Sequence, residues 1–446
     1  MHRPLIAVLM ASALLSLNAR AADLIQLYQQ ALSNDAQYAS ARASLAAGQE
    51  RVPQGRALLM PTIGLSGSNL RNHEDFVPSG DGGTGSDGTL TSSVAAKIPS
   101  HTNTYTLTLT QPLFRWANWQ QYEQSKLAQA TAEAQFAQAQ QDLITRVAQA
   151  YFNVLTAEDD LASTRAQKVA TTEQLASAKR NFEVGTQTIT DTHEAQAAYD
   201  LVVAQEFAAV NDLDNKRAAL QTIIGAVPPA LAPIRAGVIL TAPAPTAVEP
   251  WVASAEQQNY SVTAAQLALE SARRDIQINR AGHYPTVDLI ANAGHTYDTS
   301  SGRINSNAIG VQWNIPLFSG FAVTSKVRES IALEDKARND LESARRTASQ
   351  NARQAYLGVT SGLAQVKALE AAEISSKSAL ESNQLGYQVG VRINIDVLNA
   401  QKQLYATQKD LSKARYDTIM NGLLLKSAAG TLKETDLDPV NALLNR

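Results

Sequence analysis

The sequence predicts a mixed α+β membrane protein built from two tandem repeats, each with a β-hairpin and a long helical hairpin. Three observations support this fold class. Short motifs return after about 205 residues, each copy contains segments in which apolar and polar residues alternate, and each copy continues into a long stretch without proline. Alternation with period two indicates strands, and long proline-free stretches indicate helices.

The composition excludes several classes of function. The chain has 446 residues with 38 basic and 41 acidic side chains, which gives a net charge of −3. This balance does not indicate a nucleic-acid partner. The sequence contains no cysteine, which excludes disulfides, thiolate nucleophiles and cysteine-ligated metals.

The first residues predict a secretory signal peptide. A basic start precedes an apolar run from Leu5 to Leu17, and Ala19-Arg20-Ala21 fits a small-x-small cleavage site. The run is shorter than the ~20 residues of a spanning helix, which argues against a membrane anchor. No later stretch resembles a transmembrane helix, so we expect any membrane-embedded part to be a closed barrel.

The two halves of the chain carry the same turn-forming and helix-ending residues in the same order. The matches fall on prolines, on glycines and on an aspartate after a Val-Gly pair, which are residues that turn or end elements. The matched motifs are Gln111-Pro112-Leu113-Phe114 with Ile315-Pro316-Leu317-Phe318, Phe182-Glu183-Val184-Gly185 with Tyr387-Gln388-Val389-Gly390, and Asp191 with Asp396.

The duplication divides the chain into five parts. The segment between the repeats holds six of the fifteen prolines, and we expect it to be extended because proline disrupts helices and central strands. The parts are a signal peptide (1–21), a first repeat (22–225), a proline-rich linker (226–250), a second repeat (251–432) and a C-terminal tail (433–446).

Each repeat predicts one β-hairpin after a helical opening stretch. In the second repeat Ile309, Val311 and Trp313 alternate with more polar residues, so one face of the strand is apolar. Gly/Ser-rich loops are expected at 71–101 and 298–306. Each strand has about ten residues, enough for a tilted strand to cross a bilayer. The alternative is a pair of soluble hairpins packed on a core.

Four strands cannot close a barrel, and open edges in lipid leave backbone groups unpaired. The strand prediction therefore requires oligomerisation. Three copies with four strands each would form a twelve-stranded barrel.

Each hairpin leads into a long helical hairpin. The stretch 119–182 lacks proline and glycine and would form a helix about 95 Å long. The stretch 322–386 also lacks proline, and apolar residues in both follow the 3–4 spacing of coiled coils. A Val-Gly pair then predicts a turn in each copy, at Val184-Gly185 and Val389-Gly390.

The sequence gives no pattern typical of a catalytic or metal site. The six histidines form no HxxxH or HExxH motif, and there is no phosphate-binding glycine loop. We therefore expect no enzymatic activity, no cofactor and no metal. The acidic pair Asp159-Asp160 is expected on a solvated helix face.

Together these features resemble the TolC family of outer-membrane efflux channels. The resemblance covers nearly the whole mature chain, and its most specific part is the tip segment from Tyr387 to Gln401. It implies a homotrimer with a β-barrel in the outer membrane, continued by an α-helical barrel across the periplasm. It also implies that the closed periplasmic end opens when a periplasmic adaptor protein and an inner-membrane transporter dock.

The resemblance assigns a gate near the tips. Tyr387 and Arg392 match gate residues, and their acceptors on the neighbouring hairpin match Thr190 and Asp191. These links would hold the inner coils shut. Residues at the helix-tip turns would dock the adaptor: Val184, Gly185, Val389 and Gly390.

The resemblance also places the pore constriction at Asp396 and Asn399. The family carries two acidic rings, and the first matches Asp396. The second position is Asn399 here, which implies one ring of three aspartates. Such a ring would attract cations more weakly and would be blocked less by multivalent cations.

Two of these residues have simpler local explanations. Asp191 precedes Glu194 by three residues, as in a capping box that opens a helix. Arg392 and Asp396 are four residues apart, the spacing of a surface ion pair worth about 0.3–0.5 kcal/mol.

The predicted function is a passive exit duct in the outer membrane, part of a tripartite efflux or type I secretion system. The alternative is a periplasmic coiled-coil scaffold or adhesin without a pore. A general porin would consist mostly of strands, against the long helices. The exported substrate, the adaptor, the transporter class (ABC, RND or MFS) and the trigger of opening stay undetermined.

Overall fold

The computed structural model describes residues 21–76, 96–235, 237–299 and 302–445, of which 72–76 and 96–100 are described by their backbone alone. The signal peptide prediction, apart from Ala21, lies outside the described residues. The glycine-rich middle of the predicted loop 71–101 also lies outside them.

The described chain is mostly helical, with one antiparallel sheet of four strands. The helices are α1 (Leu24–Asn34), α2 (Ala36–Gln49), α3 (Arg51–Ala57), α4 (Trp116–Glu183), α5 (Ile189–Ile224), α6 (Glu249–Gln258), α7 (Tyr260–Arg280), α8 (Ala322–Gln388), α9 (Asn394–Ala428) and α10 (Leu437–Asn441). The strands are β1 (Thr62–Phe76), β2 (Ala96–Phe114), β3 (Thr286–Asp298) and β4 (Gly302–Asn314).

The sheet has the order β1-β2-β3-β4, with β1 and β4 as its outer strands. Its register places apolar residues opposite one another, as for Leu65 with Leu107 and Leu289 with Val311. Residues such as Ser66 and Thr106 pair on the other face. The apolar face is open in the single chain, since Leu65 is 75% exposed.

The strands exceed the predicted ten residues, and β2 has 19. Pairing between β1 and β2 continues from Arg71 opposite His101 to Phe76 opposite Ala96. The prediction of loop at both ends of 71–101 was therefore wrong. Strand pairing is made by backbone groups, so it continues where the alternation of side chains fades.

The chain forms two compact units, and each combines segments from both halves. The first consists of the described residues up to Ala46, of Ala132–Gln266 and of the residues from Asp340 onward. The second consists of Ala47–Thr131 and Leu267–Asn339 and contains the sheet.

The core of the first unit surrounds Tyr151 and Phe152 of α4, which are both buried. The Tyr151 hydroxyl donates a 2.6 Å hydrogen bond to the carbonyl of Ala232, and burial raises the pKa of Tyr151. Phe152 stacks on Tyr416 of α9 with ring centroids 5.6 Å apart. Since Ala232 lies in the linker, this part of the linker is anchored on the core.

Among the described residues of the predicted linker 226–250, none before Glu249 belongs to a helix or to one of the four strands, and the last two residues belong to α6. Pro250 stands in the first turn of that helix. A proline is compatible with this position because the first backbone N–H groups of a helix have no partner within the helix.

Within the described residues, no helix combines the length and the apolar character needed to cross a bilayer.

Candidate functional site

The two helical hairpins end in matching turns. Gly185 after α4 and Gly390 after α8 have φ of 78° and 81°, a conformation that glycine adopts without strain. Beyond each glycine a backbone N–H bonds back across the turn, from Thr186 to the Asn181 carbonyl at 2.9 Å and from Val391 to the Gly386 carbonyl at 2.9 Å. These bonds complete the helix C-terminus in the Schellman pattern.

Asp191 takes part in the cap of α5, at a different position from the one predicted. Thr188 is the N-cap residue, and its backbone N–H and its hydroxyl donate to the Asp191 carboxylate at 3.0 and 2.8 Å. Asp191 is therefore the third residue of the helix in this capping box, and the predicted box with Glu194 was wrong. The sequence signal was ambiguous because Thr188, Thr190 and Asp191 are all residue types that cap helices.

Tyr387 connects the second hairpin to the first within one chain. Its hydroxyl donates a 2.7 Å hydrogen bond to Oε1 of Gln187, which lies in the turn before α5. This acceptor differs from the predicted Thr190 and Asp191. Gln187 was missed because its amide stands in a turn, where the sequence gives no indication of a partner.

Arg392 forms an ion pair with Asp396, with Nη1 and Oδ2 3.6 Å apart. Both side chains are partly exposed, so the pair contributes little to stability. Gly386 makes room for this arginine, since a Cβ there would lie 2.7 Å from Cγ of Arg392. The structure thus contains the local pair, and the predicted gate role of Arg392 stays a prediction.

Asn394, the first residue of α9, is a buried polar connection between the tips that the sequence analysis missed. It is fully buried. Its Nδ2 donates to the Asp191 carbonyl at 3.1 Å, and its Oδ1 accepts from Nε2 of Gln174 at 2.6 Å. One amide therefore ties α9 to both helices of the first hairpin.

The predicted constriction residues lie on one side of α9. Asp396 is partly exposed and Asn399 is exposed. Together with Arg392 and residues of α8 they line an open cavity of about 470 Å³. They are therefore accessible in the single chain, whereas Val397 and Leu398 between them are buried.

The acidic run in α4 is paired with neighbouring helices. Asp159 accepts a 2.8 Å hydrogen bond from the Tyr416 hydroxyl, and Asp160 forms a 2.7 Å ion pair with Lys409. Glu158 pairs with Arg217 of α5. The prediction that Asp159-Asp160 lies on a solvated face was wrong, because α9 covers this part of α4.

Within the first hairpin, Glu206 of α5 binds Lys168 and Arg165 of α4 at 2.7 and 3.2 Å. Hydrogen bonds from Lys168 and then Arg165 hold the pKa of Glu206 below its usual value. Among the described residues, no group of three or more His, Cys, Asp or Glu could hold a metal ion.

Comparison with known proteins shows the family. The sequence profile described as "Outer membrane efflux protein" matches residues 27–226 and 251–431. The chain belongs to this outer membrane efflux protein family. It lies in the outer membrane and serves as an exit duct for efflux or type I secretion, as the sequence predicted.

Individual relatives agree over nearly the full length. The outer membrane protein TolC of Vibrio cholerae is 35% identical over 431 residues, which cover 95% of this chain and 94% of that protein. The alkaline protease secretion protein AprF of Pseudomonas aeruginosa is 30% identical over 435 residues. This alignment covers 96% of this chain and 89% of AprF. The crystal structure of the outer membrane protein VceC of Vibrio cholerae has the same fold, with a TM-score of 0.76 at 21% identity over 91% of this chain and 96% of that one.

Proposed function

We propose that three copies of this chain form one passive duct with a gated end. Each copy would contribute four strands to a closed barrel in the outer membrane and its long helices to a periplasmic tube. The duct would perform no chemistry, and an inner-membrane transporter would supply the energy. The order of elements, hairpin then helical hairpin in each half, supports an origin by duplication.

The sheet supports the trimer. It has only four strands, with β1 and β4 on the outside, and its apolar face is exposed in the single chain. An open sheet of this kind in lipid would leave edge N–H and C=O groups unpaired, at several kcal/mol for each group. Pairing of β4 with β1 of the next copy would remove every edge.

The gate would lie at the hairpin tips. The observation that carries this proposal is the buried Asn394, whose hydrogen bonds to Gln174 and Asp191 hold α9 against the first hairpin. Such bonds can be exchanged for water when the hairpins separate, so the closed state is held by a small free energy. Thr190, Asp191, Tyr387 and Arg392 would add links between hairpins, within a copy or between copies.

Asp396 and Asn399 would face the axis below these links. Three copies of Asp396 would approach one another there and favour the passage of cations. Asn399 would add no charge, so that the constriction would carry a single acidic ring.

The turns would receive the adaptor protein. Val184, Val389 and Val391 are 73%, 65% and 76% exposed. Exposed apolar residues at a helical tip fit a partner that covers them. The names of the relatives include solvent efflux and protease secretion, so both solvents and proteases are candidate cargo.

Single-channel conductance in planar bilayers tests the duct and the gate together. We would compare the wild type with a Tyr387→Phe, Arg392→Ser double variant. Arg346→Ser is the control, because Arg346 is an exposed residue of α8 that pairs with Glu342 on the same helix. A small conductance that increases in the double variant alone supports both proposals. A large conductance that no variant changes would retain the duct and refute the gate, and a folded trimer without conductance would refute both.

A further inference from the structure

A cavity of about 420 Å³ lies between the linker and the helices α8, α9 and α10. All of its lining residues belong to the first compact unit. Linker residues 239–244 form one wall, and α9 forms another between Thr418 and Lys426. The volume falls within the range of small-molecule sites in proteins. We call this space the linker cavity.

The walls of the linker cavity are mostly apolar and are held in place by hydrogen bonds. The indole N–H of Trp251 donates a 2.9 Å hydrogen bond to the carbonyl of Pro245, and the hydroxyl of Tyr356 donates to the carbonyl of Thr246. These bonds fasten the linker beside the cavity, whose walls can therefore receive an apolar molecule without first having to form. The apolar side chains that line it include Leu240, Trp251, Ile419, Leu423, Val440 and Leu443.

Gly422 of α9 keeps part of this space open. It lines the cavity, and a Cβ at this position would meet nothing within 4 Å. Alanine would therefore fit here, and alanine is more favourable than glycine inside a helix. Packing within the chain thus does not explain the glycine, whereas a guest that occupies the space beside it does.

The charges at the cavity indicate a neutral ligand with an acceptor group. Among the described residues that line it, the charged side chains are Lys426 and Asp436, which form a 2.7 Å ion pair. Because these two charges balance, a charged ligand would place an unpaired charge beside apolar walls, which is costly. The ammonium of Lys426 has three N–H donors, and Asp436 accepts from one of them. A carbonyl oxygen of a ligand can accept from another, in a charge-assisted hydrogen bond.

We propose that the linker cavity binds a neutral apolar small molecule that carries a carbonyl group. The apolar body of the ligand lies against Trp251 and Leu423, and its carbonyl oxygen accepts a hydrogen bond from Lys426. The ligand contacts the linker and α9 at once, so that it joins these two segments more firmly. Binding at this site requires neither the trimer nor the gate.

Benzophenone is a suitable probe because it is a neutral, apolar ketone that forms covalent bonds to nearby C–H groups under ultraviolet light. Deuterated benzophenone would be irradiated with the purified protein in detergent, and tryptic peptides would be analysed by mass spectrometry. A probe in the cavity would label the peptide Tyr416–Lys426, whereas a probe dissolved in the detergent would label the peptide Ile304–Lys326 of the sheet. Gly422→Phe fills the cavity, and Gly422→Ala, which leaves most of it open, is the matched control.

We expect saturable labelling of Tyr416–Lys426 that decreases several-fold in Gly422→Phe and persists in Gly422→Ala. If Gly422→Phe fails to fold, Gly422→Leu takes its place. Unlabelled benzophenone should also compete several-fold better than diphenylmethane, which has the same rings and no carbonyl group. Labelling that does not saturate, or that the larger side chain leaves unchanged, would overturn the proposal. Equal competition by the two compounds would mean that no carbonyl group is recognised and would overturn it as well.

Discussion

The side-chain amide of Asn394 donates a 3.1 Å hydrogen bond to the main-chain carbonyl of Asp191. The contact is buried, and it joins the start of α9 to the first turn of α5. Because the acceptor is a backbone atom, substitution of Asp191 leaves the bond in place, and only a change of Asn394 removes it.

Asn394→Leu should therefore weaken the closed state of the proposed gate. The change keeps the approximate volume but removes both hydrogen bonds and leaves the Gln174 amide without this partner, at about 1–3 kcal/mol. We expect a higher mean conductance and more frequent openings in planar bilayers. Asn211→Leu, at an exposed position of α5, is the control, and equal behaviour of the two variants would contradict a role of Asn394 in the gate.

The bond from Tyr387 to Gln187 predicts non-additive effects. Tyr387→Phe and Gln187→Leu each remove the same 2.7 Å hydrogen bond, so the double variant should open little more than either single variant. Conductance of the four proteins gives the coupling directly. Strictly additive effects would mean that Tyr387 has a different partner in the assembled channel, such as Thr190 or Asp191.

Ion selectivity tests the proposed single acidic ring. Asn399→Asp adds a second carboxylate about one helical turn from Asp396, and we expect stronger cation selectivity and stronger block by trivalent cations. Asp396→Asn should have the opposite effect. Reversal potentials in a salt gradient measure both, with Asp214→Asn on an exposed face of α5 as the control. If that control shifts the potential equally, selectivity is set by the net charge and not by this ring.

Asp35 predicts a pH-dependent contribution to stability. Its carboxylate accepts two 3.0 Å hydrogen bonds from Arg146 and one of 2.6 Å from the Tyr38 N–H. Burial raises the pKa of Asp35, but the bonds from Arg146 and Tyr38 lower it more, and the net direction is downward. A folded-state pKa below the unfolded value gives stability that is complete above about pH 4 and is lost as the pH falls through the folded pKa.

Thermal unfolding can be followed by circular dichroism at pH values from about 3 to about 7, a range that extends from just below the ordinary pKa of aspartate to neutral pH. Asp35→Asn should lower the melting temperature at about pH 7. It should also make the melting temperature less dependent on pH below about pH 5, which is roughly one unit above the ordinary pKa of aspartate. Asp212→Asn removes an exposed, 3.7 Å pair with Lys216 and should change little. A wild type whose stability does not fall toward pH 3 would contradict the assignment.

The periodicity of apolar residues and the positions of proline and glycine predicted much of the fold. The stretch from residue 322 that lacks proline forms α8, and both Val-Gly pairs stand at the ends of long helices. These features are local, because a proline or a glycine acts on its own segment of chain. The wrong prediction of a solvated face at Asp159-Asp160 concerns surroundings that one segment does not specify, since the partners Tyr416 and Lys409 come from α9. The cap at Asp191 and the loop at 71–101 are local features whose residue patterns allowed more than one interpretation.

The site was less accessible to sequence reasoning for the same reason. Asn394 looks like any polar residue at a helix start, and its role depends on Gln174, which is 220 residues away in the chain. Gln187 is a similar case, since it matters through the side chain of Tyr387, which is 200 residues away in the chain. The resemblance to a family supplied Tyr387 and Arg392, and the structure supplied the contacts that they make within one chain.

The two outer strands of the sheet have a genetic consequence. In the proposed trimer each copy pairs its outer strands with those of its neighbours. One defective copy would therefore inactivate a trimer whose other copies are normal. In a cell that makes a normal and an assembly-competent but blocked form in equal amounts, only about one complex in eight would contain normal copies alone. Alleles of this kind should therefore be dominant, whereas alleles that prevent the strands from pairing should be recessive.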